Sequence, residues 1–301
     1  MSKVSVVITT YNRAHFLKRA IQSVLQAGSE IEVVVIDDCS TDETPDVCAK
    51  LDGIRYVRLT ENRGLAHARN VGIAESSSEF VAFLDDDDLR LPDSIDKQLA
   101  RIVSDDRIAL CYGRALIGDA RRQLPTGEIY PIECPQGDVF WELLEDNFIP
   151  MPSVLARKSA LLEAGGFNES LSLVEDWDMW LRLSERFQVT AVAEPVAIYR
   201  KSNLASDQMC SDSSALCKQA LRVQQMALAR TRAQTAARTK RRQVRTRFRT
   251  RAYKILMTEA TNLIHNGNAE SARSRLRDAF QFCPLRTLMS GRLAWLLKSG
   301  F

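Results

Sequence analysis

The chain has 301 residues, 45% of them hydrophobic and 26% charged, which is globular composition and enough for one large domain plus a smaller appendage. Seven cysteines lie scattered without CxxC spacing, which argues against a disulfide framework or a structural zinc site and fits a reducing cytosol. The net charge of +3 hides a division: residues 1–212 carry 22 basic and 35 acidic side chains, and residues 213–301 carry 19 and 3, so a domain boundary is expected there.

The opening "MSKVSVVITT" lacks the long apolar stretch and cleavage site of a signal peptide, and no later stretch approaches the roughly 18 apolar residues of a membrane span. A soluble protein, or one attached to a membrane surface, is therefore expected. "VSVVITT" reads as a buried strand. The following "HFLKRAIQSVLQ" sets Phe16, Leu17, Ala20, Ile21, Val24 and Leu25 at helical spacing. "IEVVVIDD" is a second strand, and "STDETPDVCAKL" opens a helix with capping residues and a proline. "IRYVRLTEN", "GLAHARNVGIAESS" and "EFVAFLD" read as strand, helix and strand. "SVLARKSALLEAGGF" is a strand and helix closed by Gly165 and Gly166, and "EDWDMWLRLSERF" an amphipathic helix with acids at its start. "QVTAVAEPVAIYR" reads as a strand pair broken by Pro195.

Strands alternating with helices predict an α/β sheet whose ligand lies at the carboxyl ends of the strands. The polar groups there are Thr9, Thr10, Tyr11, Asn12 and Arg13 after the first strand, Asp37 and Asp38 after the second, and Asp85 to Asp88 after the fourth. Four consecutive carboxylates repel one another. A divalent cation would relieve that repulsion: carboxylates spaced D-x-D suit Mn²⁺ or Mg²⁺, and Asp85 and Asp87 would share one side if the segment stays extended.

"VSVVITTYNR", "VVVIDDCSTDET", "ENRGLAHARNVGI", "FVAFLDDDD", "EAGGFNESL", "EDWDMWLRL" and "AIYR" follow the order and approximate spacing of the family 2 glycosyltransferases, which this sequence resembles. The resemblance covers about residues 3–203. It implies the GT-A fold, a Rossmann-like mixed sheet flanked by helices, here over residues 1–212 with a helical C-terminal extension over 213–301. It also implies transfer from a nucleotide-sugar donor with inversion at the anomeric centre.

Carried over position by position, the resemblance places Thr9, Tyr11 and Arg13 in the nucleotide pocket, Asp38 on the base, usually uracil, and Arg69 near the nucleotide. Asp85 would contact the ribose, with Asp86 beside it in the nucleotide site, and Asp87 would hold the Mn²⁺ or Mg²⁺. Asp176 would be the general base, with Glu175, Trp177 and Arg200 in acceptor or secondary roles; Arg200 or Lys201 would help to neutralise the diphosphate. Taken singly, each has a plainer explanation: Asp38 and Asn12 as turn residues, Tyr11 as a packed aromatic, Arg69 in a surface pair with Glu61 or Glu75, Asp176 as an acid favoured by the helix dipole. The chain departs from the family at Ser202, where many members carry a metal-site histidine, and none of His15, His67 or His265 matches that position.

From Asp212 to Glu259 no acidic residue intervenes, and "RTKRRQVRTRFRTR" is basic at nearly every second position. No nucleic-acid motif accompanies it, so residues 238–254 are expected to face an anionic membrane surface, a solvated helix being the plainer alternative. "AYKILMTEATNLIHNGNAESARSRLRDAFQFCP" reads as a helical hairpin, and the amphipathic close of the chain as an interfacial or packed helix.

The expectation is a metal-dependent, inverting, hexosyltransferase-like enzyme. It would move a sugar from a UDP-linked donor to a glycan, lipid-linked or protein-linked acceptor for cell-surface polysaccharide or glycoconjugate synthesis. The location would be cytoplasmic, peripheral on the inner face of the cell membrane. The competing reading is a nucleotide-sugar-binding protein without turnover. A sugar-1-phosphate nucleotidyltransferase is rejected because "TTYNRAHF" contains no glycine for a phosphate loop.

Overall fold

The computed structural model describes residues 3–119, 124–201, 212–284 and 286. The chain divides into two compact units, Met1–Leu143 with Asn147–Asp207, and Leu144–Asp146 with Gln208–Phe301.

The first unit begins with β1 (Val4–Thr10), α1 (Ala14–Leu25), β2 (Ile31–Asp37), α2 (Thr44–Ala49), β3 (Ile54–Arg58), α3 (Leu65–Glu75) and β4 (Phe80–Asp85). It continues through β5 (Leu89–Arg90), α4 (Ser94–Ile102), β6 (Ile108–Gly118), β7 (Pro125–Tyr130), α5 (Phe140–Leu143), a 3₁₀ turn at Met151–Ser153, β8 (Leu155–Arg157), α6 (Lys158–Glu163), α7 (Glu175–Ser184) and β9 (Gln188–Arg200). The sheet order is β3-β2-β1-β4-β8-β6-β9-β5, with β7 paired to β6. β1 to β4 are parallel, whereas β8 runs antiparallel to both β4 and β6.

β1 is buried at all seven positions because helices cover both faces of a parallel sheet. On α1 the buried residues are Phe16, Leu17, Ala20, Ile21 and Val24; Leu25, at the end of the apolar stripe, is instead 51% exposed. α3 lies close against β1 at Gly72, where an added Cβ would come within 2.2 Å of a Val7 methyl.

β9 is one continuous strand, not the broken pair expected. Pro195 sits at a register shift opposite Arg114, where the missing N–H costs no regular ladder bond. α2 starts later than expected: Asp42 accepts hydrogen bonds from the Thr44 N–H (3.0 Å) and the Thr44 hydroxyl (2.6 Å), which keeps the preceding residues in a turn.

The second unit contains α8 (Ser213–Ala229), α9 (Thr231–Thr235), α10 (Arg238–His265) and α11 (Ala269–Phe282). α10 and α11 form a hairpin turning at Gly267, which has φ +74°, and Phe248 meets Phe282 edge-on at 6.4 Å. The buried residues of α10 include Val244, Phe248, Ala252, Leu256 and Ala260, one every fourth position. Four residues advance about 400° around a helix, so this stripe winds across the surface of α10 instead of running straight along it. No helix among the described residues is long and apolar enough to cross a membrane.

Candidate active site

The ends of β1, β2 and β4 deliver their polar residues to one edge. The D-x-D segment does not stay extended. β4 stops at Asp85 and the chain turns, with Asp88 N–H donating to the Asp85 carbonyl (3.1 Å), so Asp85 and Asp87 face different partners.

Asp85 accepts from Arg69 (2.7 Å), whose other nitrogen donates to Glu175 (2.5 Å). Arg69 is therefore no surface residue. It is 2% exposed, stands 5.6 Å from the centre of the Phe167 ring, and its pKa is raised because Asp85 and Glu175 outweigh the cost of burial. Asp87 accepts from Arg13 (2.9 Å) and from Nε of Arg200 (3.0 Å). Arg200 is fully buried over the Phe16 ring at 4.6 Å. Its guanidinium faces Asp87, and Lys201 is the exposed neighbour.

Asp86 is also directed inward, accepting from the Thr10 hydroxyl (2.8 Å) and Arg13 (3.3 Å). Its pKa is pushed up to about 7 by burial and by the adjacent Asp87 charge, against the pull of Arg13 and Thr10. Asp88 accepts from the Arg200 backbone N–H (2.8 Å), and burial with the Asp87 charge raises its pKa well above the usual range. Four carboxylates can thus coexist because Asp85, Asp86 and Asp87 take arginine partners, while Asp86 and Asp88 are held towards the neutral form.

Thr9 is buried and its hydroxyl has no hydrogen-bond partner among the described residues, while Tyr11 is 44% exposed at the rim. Asn12 holds φ +55° and ties the β1 turn to the β2 turn through the Thr41 N–H (2.7 Å). Both Asp38 oxygens accept backbone N–H groups, from Arg63 (2.9 Å) and Gly64 (2.8 Å), which sets the entry to α3. Asp37, beneath it, takes the Tyr56 hydroxyl (2.6 Å).

Asp176 lies in the first turn of α7. The helix is preceded by Val174 at φ +57°, a left-handed conformation that is strained for a β-branched residue, and Asp176 is its second residue. The Asp176 carboxyl accepts the Trp177 N–H (2.6 Å) and the side-chain amide of Asn147 (3.2 Å). Burial, and then the charge of Glu175, raise its pKa to about 7, with Arg69 opposing. The Trp177 side chain is 2% exposed and its indole N–H is bound to the Leu143 carbonyl (2.7 Å), so it packs in the core of the first unit.

Several contributors leave no signal in the sequence. Asn147 sits in an irregular segment without periodicity. Phe167 and Phe16 support the two buried arginines, and sequence spacing brings neither pair together. Thr10 is the one accessible to reasoning, as the last residue of β1.

A hard divalent ion asks for several oxygen donors. Asp87 has suitable carboxylate oxygen, but among the described residues no group of three or more His, Cys, Asp or Glu is placed to hold a metal. His67 lies against Glu169 (3.1 Å). Ser202 lies outside the described residues, as do residues 287–301 with most of the amphipathic close. Asp87 would be the single protein ligand, and because its carboxylate already faces Arg13 and Arg200, a metal there would compete with two guanidiniums and draw its further ligands from a bound diphosphate and water.

The model of the glycosyl transferase family 2 matches residues 5–161, more than half of the chain. The chain belongs to glycosyl transferase family 2. ExoO of Rhizobium meliloti, a succinoglycan biosynthesis protein, is 42% identical to this family member over 186 residues, 58% of this chain and 53% of ExoO. ExoU of the same organism, also a succinoglycan biosynthesis protein, is 29% identical over 224 residues, 69% of this chain and 66% of ExoU. An uncharacterized glycosyltransferase of Rickettsia felis is 31% identical over 205 residues, 67% of this chain and 33% of its own. The chain thus spans from about a third to two thirds of the length of these relatives.

Among solved structures, S. aureus TarS 1-349 aligns with a TM-score of 0.63 at 20% identity, covering 95% of this chain and 82% of TarS. The same TarS fragment in complex with UDP-GlcNAc also gives 0.63. The mannosyltransferase PcManGT from Pyrobaculum calidifontis, in complex with GDP-Man and Mn²⁺, gives 0.56 at 16% identity, covering 98% of this chain and 80% of that one. These likenesses establish the GT-A fold.

Proposed function

We propose that this glycosyltransferase moves a sugar, with inversion, from a UDP-linked donor to a hydroxyl of a glycan, lipid-linked or protein-linked acceptor in cell-surface polysaccharide or glycoconjugate synthesis. Catalytic duty falls to residues 1–212, with 213–301 as a basic helical region. The observation that carries the reading is Arg69, which joins Asp85 at the strand end to Glu175, the neighbour of Asp176. One guanidinium links the carboxylate assigned to the donor with the segment that bears the base.

In this reading Thr9, Tyr11 and Arg13 line the nucleotide pocket, with Asp86 held beneath. Asp38, braced by two N–H groups, keeps lone pairs for the N–H of a uracil. Asp85 meets the ribose. Asp176 takes the proton of the attacking hydroxyl as the oxygen–carbon bond forms and the bond to the diphosphate breaks, the diphosphate leaving with the electron pair. A single displacement needs no second carboxylate nucleophile. Asp87 would hold Mn²⁺ or Mg²⁺, which when bound supplies Lewis-acid stabilisation of the departing diphosphate. Support for donor and setting comes from TarS, captured with UDP-GlcNAc, from PcManGT, with GDP-Man and Mn²⁺, and from the two succinoglycan biosynthesis relatives.

The proposed location is cytoplasmic, peripheral on the inner face of the membrane through residues 238–254. The support is the run without acids from Asp212 to Glu259.

The test is a nucleotide-sugar screen with and without Mn²⁺ on the wild type, Asp87→Ala and Asp176→Asn. Expected is metal-enhanced binding of one donor that Asp87→Ala loses, with slow donor hydrolysis that Asp176→Asn loses. Binding without turnover in the presence of candidate acceptors would favour the binding-protein reading. No binding of any nucleotide sugar would overturn both.

A further inference from the structure

The first two turns of α10 present Arg238, Arg241, Arg242 and Arg245 at spacings of three, four and seven residues, the spacing of a single helical face. These four side chains line a concavity of about 320 Å³ within the second unit. Farther along the helix, Arg247 and Arg251 are paired with Glu145 (2.9 Å) and Asp146 (2.5 Å) of the same unit. Arg238, Arg242 and Arg245 have no carboxylate partner among the described residues. Arg241 donates to Gln234 (2.8 Å), while its Nε is buried without a hydrogen-bond partner among the described residues.

This arrangement works against helix stability in two ways. Like charges three and four residues apart repel, and positive charge in the first turn opposes the helix dipole, which favours acids there; α10 has none in its first turn. Val244 is the buried residue at this level, and it points about 100° away from the arginine face. Arg241 is partly buried and bonded to Gln234, but packing does not explain Arg238, Arg242 and Arg245, which are exposed. A phosphate group does. Guanidinium forks match its oxygens bidentately, it cancels the mutual repulsion, and the positive end of the helix adds to the attraction.

We infer that Arg238, Arg241, Arg242 and Arg245 form a discrete site for a phosphomonoester or diphosphate group. The inference rests on the reading of the basic region as an anion-binding surface and deepens it from a diffuse charge to a defined pocket. The ligand chemistry is that of a terminal or bridging phosphate, which a lipid headgroup or a small soluble phosphate could each provide.

The experiment uses the full chain with two charge-matched triple variants. Arg238→Gln/Arg242→Gln/Arg245→Gln removes the face but spares Arg241 and its bond to Gln234. Arg249→Gln/Lys254→Gln/Arg277→Gln removes three exposed charges elsewhere in the second unit. Pyrophosphate binding is measured by calorimetry. Cosedimentation is measured with vesicles of phosphatidylcholine containing either phosphatidic acid or phosphatidylglycerol at equal surface charge.

The expected result is at least a tenfold loss of pyrophosphate affinity, or of preference for phosphatidic acid, in the first variant and less than threefold in the second. Loss in the vesicle arm alone identifies a lipid source; loss in the pyrophosphate arm alone identifies a soluble one. Equal weakening by both variants overturns the discrete site and leaves the membrane reading standing. An unchanged first variant in both arms also overturns the site. If no vesicle binds the wild type, the membrane reading fails and the pyrophosphate arm alone decides the site.

Discussion

Nε of Arg200 lies 3.0 Å from a carboxylate oxygen of Asp87, with the guanidinium wholly buried above the Phe16 ring. The last residue of β9 thus holds the acidic turn after β4, although 113 positions separate the two residues. Removing Arg200 leaves Asp87 still paired with Arg13, so the cost falls below the about 3–5 kcal/mol of a buried charge left unpaired. Arg200→Gln should lose about 1–3 kcal/mol in urea unfolding, and adding Asp87→Asn should restore part of it. A loss below about 1 kcal/mol would mean that solvent screens the pair.

Asp86 gives a stability prediction with a defined sign. Its pKa in the folded protein, about 7, exceeds the ordinary aspartate value of 3.8, so the folded protein binds the proton more tightly than the unfolded chain. Stability then falls as pH rises from about 4 to about 7, because ionising the buried group costs energy. Asp86→Asn removes that titration and keeps an oxygen for the Thr10 hydroxyl. At pH 8 the variant should be more stable by an amount of order 2–4 kcal/mol, since a tenfold change in proton affinity is worth about 1.4 kcal/mol, with little difference at pH 4. Unfolding curves at the two pH values would show it; equal gains at both would refute the linkage.

Gly72 predicts a packing cost at the α3–β1 contact. Alanine there would bring its Cβ within 2.2 Å of the buried Val7 side chain, which cannot turn away. Gly72→Ala should destabilise by about 1–3 kcal/mol despite the better helix propensity of alanine, and Val7→Ala in the same chain should recover part of the loss. A higher melting temperature in the single variant would show that the contact yields.

The strands and helices of the first unit are legible in the sequence because a two-sided parallel sheet demands apolar runs, and "VSVVITT" and "EFVAFLD" are such runs. β9 is not legible at Pro195, because the register shift that accommodates the proline depends on β6, which is distant in sequence. The acidic run is visible, but its partition is not. Whether Asp85 pairs with Arg69 and Asp87 with Arg200 depends on the turn at Asp88 and on where β9 ends, and neither leaves a local pattern. Asn147 is invisible for the same reason: its role exists only through a contact with α7.

Asp176 leads to the prediction closest to the chemistry. In the proposed mechanism Asp176 is the general base, which acts only when deprotonated, and burial beside Glu175 raises this carboxyl to about 7. Below that value the active fraction should fall tenfold per pH unit, so kcat/KM should decline with a slope of one on the acid side. An ordinary carboxylate would leave the rate flat down to about pH 4–5. Asp176→Asn should lose about 10²–10⁴-fold in turnover while donor affinity stays within a fewfold of wild type. Glu175→Gln removes the neighbouring charge that raises the pKa, so any residual activity should extend to lower pH. Asn147→Ala removes a hydrogen bond that favours the ionised form, which should move the acid limb upward. Opposite movements of the limb in these two variants would assign it to Asp176; an unmoved limb in both would assign the titration to another group.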